Sequence, residues 1–166
     1  MTRRITLYSI FTALGLTLSF LERLVPVELF IPLPGIKLGL ANIVTLLALV
    51  LFGFKGALLI LSARCVLAAA LFGSLTSLWF SICGGFLALV VMSLCIKSKW
   101  LSYVGVSIAG AAAHNTGQIL AAAIAMKSFY IFAYLPALLI ASVVTGGIIG
   151  FVSLLLIDRI KKIIQV

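Results

Sequence analysis

The stretch IVTLLALVLFGFKGALLILSARCVLAAALF, residues Ile43–Phe72, decides how the chain is read. In its thirty positions only Lys55 and Arg64 are charged. Its apolar residues do not alternate with polar ones, as they would on a strand with one wet face. A run this apolar finds its solvent in lipid, where every backbone N–H and C=O must be satisfied within the structure. That requirement predicts helices. Lys55 and Gly56 sit near the middle of the run and are read as a tight turn between two spans.

The rest of the chain repeats this character. Of its 166 residues, 64% are hydrophobic and 9% charged. A soluble domain has about a quarter of its residues charged, so this chain cannot cover itself with polar surface. A helix needs about 20 apolar residues to cross the hydrocarbon core. Six spans are placed on that basis, at about 5–24, 39–54, 57–72, 77–96, 101–126 and 135–157. They form one transmembrane domain, 1–166, without internal repeat or linker. The fold class is all-α, a polytopic six-helix membrane bundle. Arg3-Arg4 followed by an apolar run resembles a signal peptide, but no small-x-small cleavage site follows, and the run is read as an uncleaved first span. Between the first two spans, 25–38 holds Pro26, Pro32, Pro34 and Gly35, which break any helix.

The net charge of +9 does not point to nucleic acid, because all basic residues but Arg64 lie at the ends of apolar runs. They also set the orientation. With the N-terminus inside, the inner segments carry Arg3, Arg4, Lys55, Lys97, Lys99, Arg159, Lys161 and Lys162, and the outer segments Arg23, Lys37 and Lys127. Both termini are therefore expected in the cytoplasm. Cys65, Cys83 and Cys95 have no metal-ligand spacing and are read as small core residues.

Ionisable groups inside a span are costly and are functional candidates by default. Arg64 falls near the middle of its span with no obvious acidic neighbour. It is either a contact for an anion or polar substrate, or an arginine bonded to carbonyls or snorkelling inward. Ala113-His114-Asn115-Thr116-Gly117-Gln118 is the most polar stretch within any span, and its spacing predicts that His114, Asn115 and Gln118 share a face. Glu22 closes the first span at the same level, where Asn42 opens the second. Together these form the floor of a pocket open to the outside, or a set of interhelical hydrogen bonds. For Asn42 alone a helix cap is the expected role. Ser9, Ala13 and Thr17, and Gly146 and Gly150, make small-residue stripes suited to close packing, inside the bundle or against a partner. Glu28 and Asp158 lie at span edges.

No Gly-rich phosphate loop, paired carboxylates for Mg²⁺ or Ser/His/Asp set is present. The chain is therefore not expected to be an enzyme on its own, to bind a metal or to hold a cofactor.

The run Pro34-Gly35-Ile36-Lys37-Leu38-Gly39-Leu40-Ala41-Asn42-Ile43-Val44, Glu22 at the end of the first span, and the motif 113–118 resemble the Gx transporter family. That family is also named heptaprenyl diphosphate synthase component I, and it is similar to the S components of energy-coupling factor (ECF) transporters. The resemblance implies a bacterial plasma-membrane protein that binds a small vitamin-like or isoprenoid-related molecule. It implies Glu22, Asn42, Arg64, His114, Asn115 and Gln118 around the site, and the Pro-rich loop as a lid. A coupling subunit would dock on Ser9, Ala13 and Thr17, and two separate ATPases would bind the ATP. The other family name implies a non-catalytic accessory subunit in isoprenoid quinone synthesis. A stand-alone carrier fits less well, for want of an internal repeat and a membrane-embedded carboxylate for ion coupling.

Overall fold

A computed structural model describes residues 2–24 and 39–164. The expected Pro-rich lid, with Glu28 and Lys37, lies outside the described residues. The described residues form α1 (Thr2–Arg23), α2 (Asn42–Phe72), α3 (Leu75–Ser98), α4 (Tyr103–Met126), a 3-10 turn (Phe129–Tyr134) and α5 (Leu135–Ile164), with no strand among them. Side-chain oxygens of Ser74 and Ser102 accept from the N–H groups of Ser77 and Gly105 and cap α3 and α4. Lys99 and Lys127 end the same helices in the left-handed conformation.

Four stretches are long and apolar enough to cross a membrane: α1, α2, α3 and Phe129–Ile163. This is a multi-pass membrane protein. Six expected spans do not map onto six spanning helices. The expected second and third spans form one element, α2, interrupted at Gly53 (φ 72°, ψ −176°). That backbone conformation is essentially restricted to glycine, so the break falls at Gly53 and not at Lys55-Gly56.

The break is a reversal. A Cβ on Gly15 would lie 2.6 Å from Arg64 Cδ and 3.6 Å from Val44 Cγ1. In a straight helix residues 44 and 64 would be about 30 Å apart. Lower on α1, Tyr8 meets the Phe52 ring at 5.1 Å and its hydroxyl lies against Gly56. Arms 42–52 and 54–72 therefore run antiparallel beside α1. The first arm, at 11 residues, rises only about 16 Å, half of the hydrocarbon core. It cannot cross alone, and the start of α2 lies within the bundle.

The remaining helices alternate in direction. Gly146 and Gly150 of α5 lie directly on α4, where a Cβ would stand 2.7 Å from Ile108 Cα and 2.6 Å from Val104 Cα respectively. That stripe is thus used for internal packing. On α5 the buried residues Leu138, Ser142, Gly146, Ile149, Gly150, Ser153 and Ile157 follow one helical stripe. Its other side exposes Ile140, Val143, Val144, Ile148, Phe151 and Leu155. Such a wide apolar surface suits lipid, not water. Among the described helices α1 packs on α2 alone.

Candidate functional site

Along the buried face of α1 run Phe11, Gly15, Ser19 and Glu22. The side chain becomes smaller and then polar toward the C-terminal end of the helix. Gly15 leaves room for the Arg64 side chain, and Arg64 Nη1 donates to Ser19 Oγ at 3.0 Å. From Gly15 to Ser19 the side chain runs toward the end of α1 that lacks the basic cluster, so Arg64 does not snorkel inward. The residue is 6% exposed. Among the described residues its guanidinium has Ser19 as its one hydrogen-bond partner, and no carboxylate pairs with it.

One turn above Ser19, Glu22 is also buried. Its Oε1 accepts from the backbone N–H groups of Gly39 and Leu40, the latter at 3.2 Å. The carboxylate thus sits at the entrance to α2, where unpaired N–H groups and the helix dipole favour an anion. Gly39 has φ +83°, and a Cβ there would meet Asn42 Nδ2 at 2.8 Å and His114 Cδ2 at 3.4 Å. Gly39 is the crossing point that brings Glu22, Asn42 and His114 to one level.

Asn42 does not cap its helix. Ala41 occupies the cap position with no side-chain hydrogen bond, and Asn42 Nδ2 and Oδ1 are buried without a partner among the described residues. The helix start is served by Glu22 instead, and the Asn42 amide is left facing the interior.

His114 lies roughly midway along α4. Its far side and Gln118 touch α3 at Gly84, where a Cβ would come within 3.1 Å of His114 Cε1 and 2.9 Å of Gln118 Cγ. Gly117 packs on Cys83 O and Gly84 Cα, so the α3–α4 crossing is closest beside the polar residues. Asn115 turns away. Its Nδ2 donates to Leu138 O at 3.1 Å and to Ser142 Oγ at 2.8 Å, tying α4 to α5. The expected shared face is therefore divided: His114 faces α3 and the α2 entrance, Gln118 faces α3, and Asn115 faces α5.

Five of the six expected site residues thus follow one path through the bundle, from Arg64 past Ser19 to Glu22, Asn42, His114 and Gln118. Ser19, uncharged within an apolar helix, is not among the candidates the sequence marks, although its i+4 spacing from Gly15 is a usable signal. Neither α2 arm can be placed beside it from sequence. Ser9, Ala13 and Thr17 are exposed. Ser9 and Ala13 border a lateral groove of about 510 Å³ between α1 and the 54–72 arm, with Tyr8, Leu16, Leu59 and Leu67 in its walls. Among the described residues no three His, Cys, Asp or Glu side chains are grouped as a metal site would require.

The family described as heptaprenyl diphosphate synthase component I matches residues 11–156. No curated protein and no solved structure matches the chain.

Proposed function

Because the chain belongs to the heptaprenyl diphosphate synthase component I family, we propose that it works as one subunit of a membrane assembly and that its own task is to bind a small molecule. In this reading it is the substrate-binding, S-component-like subunit of an ECF-type uptake system. Glu22, Asn42, Arg64, His114 and Gln118 line or support the site, with Asn115 holding α4 against α5 behind it. The carrying observation is the buried polar path at mid-bundle, which includes a cation and an amide without a partner among the described residues. Polar groups at that depth are expensive to maintain without a role. Ser9, Ala13 and Thr17, exposed on a helix that among the described helices packs on α2 alone, would face the coupling subunit. ATP would be bound by separate ATPases and no cofactor by this chain. The six helical segments alternate, with both termini at the basic end, which is cytoplasmic in a bacterial plasma membrane by the positive-inside rule.

The family description favours a second reading. A component I implies a component II, and the chain would then be the membrane accessory subunit of a prenyl diphosphate synthase whose catalysis resides in its partner.

Affinity purification from the native membrane in mild detergent separates the two. Recovery of two ATPases and a transmembrane coupling protein is the expected outcome. Recovery of a soluble prenyl synthase in their place would transfer the chain to the second reading.

A further inference from the structure

We infer that the polar path is an anion site, and that the ligand it takes carries a carboxylate or phosphate group opposite Arg64. The inference rests on the reading of this path as a binding site and adds the chemical class of its ligand.

The argument starts from charge. An arginine remains protonated in essentially any protein environment, so Arg64 brings a full positive charge into the interior. One neutral hydroxyl, Ser19 Oγ, receives one of its five N–H groups. A buried cation is ordinarily matched by a carboxylate, because removing one partner of such a pair is strongly destabilising. Only three acids exist in the chain. Asp158 lies near the end of α5 and is exposed. Glu28 lies outside the described residues. Glu22, one turn above Ser19, directs Oε1 to the N–H groups of Gly39 and Leu40 and not to the guanidinium. A planar guanidinium held in this way presents a fork suited to a bidentate carboxylate or phosphate.

A second observation points to a ligand one turn farther along the path. The Asn42 amide is buried with neither its donor nor its acceptor used among the described residues. Gly39, whose N–H bonds to Glu22, is also the residue against which Asn42 packs. Arg64 therefore supplies the charge, and Asn42 an uncharged donor and acceptor farther along the path. The ligand is a small anion with a hydrogen-bonding group beyond its charged end. The charged group belongs either to a soluble molecule or to a lipid headgroup.

Thermal unfolding of the purified full chain in uncharged detergent tests this, with inorganic pyrophosphate and phosphatidylglycerol as separate probes. A saturating probe is expected to raise the midpoint by about 5 °C or more, and the rise is expected to disappear in Arg64→Met. A rise with pyrophosphate assigns the site to soluble anions, and a rise with phosphatidylglycerol alone assigns it to a headgroup. The variant without ligand is expected to unfold no earlier than the wild type, since a buried charge with no carboxylate partner among the described residues has been removed. If Arg64→Met does not fold, Arg64→Lys keeps the charge without the fork and is expected to bind at least tenfold more weakly. Lys97→Gln with Lys99→Gln, at the basic end, is expected to leave the rise intact. No rise with either probe, or a rise that persists in the Arg64 variants, would overturn the inference. Either result is independent of which proteins copurify.

Discussion

At the scale of single residues, Glu22 has the clearest structural duty. It provides the acceptor for two N–H groups at the entrance to α2, and its side chain is buried. Charge-assisted bonds of this kind are worth about 1.5–3 kcal/mol each. Glu22→Ala is therefore expected to lower the stability of the purified chain by about 2 kcal/mol or more, read as an earlier unfolding transition. An unchanged transition would mean that the carboxylate does not hold the α2 start. His114 and Gln118 are different, because both lie at the Gly84 crossing, with His114 reaching the Gly39 crossing as well, and not at a helix end. His114→Ala and Gln118→Ala are expected to weaken ligand binding while leaving the chain folded. Two alanine variants that bound as well as the wild type would remove both residues from the site. His114 and Gln118 were identifiable from sequence because they are polar residues in an apolar run. The separation of Asn115 from them was not. Adjacent helical positions differ by about 100°, and only the position of α5 determines that this rotation gives Asn115 a carbonyl and a serine as partners.

At the scale of elements, the reversal at Gly53 sets the depth of everything above it. Among the described residues nothing lies within 4 Å of a Cβ placed there, and a substitution meets the conformational strain of φ 72°. Gly53→Ala is expected to cost about 1–3 kcal/mol, measurable by unfolding in detergent. A neutral result would mean that the reversal tolerates another backbone conformation. The two small-residue stripes are alike in spacing and differ in use. Gly146 and Gly150 bring α5 onto the α4 backbone, and Gly146→Leu is expected to prevent the native packing altogether. Ser9, Ala13 and Thr17 face outward. Their spacing alone could not distinguish the two cases, since a small residue permits close approach without naming the neighbour.

At the scale of the whole molecule, the alternation of helices places Arg3, Arg4, Lys55, Lys97, Lys99, Arg159, Lys161 and Lys162 at one end. Arg23 and Lys127 lie at the other. Replacing Ser9, Ala13 and Thr17 together by leucine is expected to leave the unfolding transition near that of the wild type and to abolish copurification of the partner subunits. Full retention of the partners would place their contact elsewhere on the chain.

The all-helical class, the membrane as solvent and the polar positions inside spans were all determined by the sequence. Each depends on local composition and on the 3.6-residue period, which need no knowledge of neighbours. The tertiary structure decided what the polar positions meet. It shortened the first arm of α2, so that Asn42 begins deep in the bundle instead of capping a helix at its surface. It set Arg64 beside Ser19 with no carboxylate paired to it among the described residues, and it divided His114 from Asn115. These outcomes depend on the depth and rotation at which each helix packs. Those are set by shape at the Gly15, Gly39 and Gly84 crossings, where residues far apart in the chain come into contact.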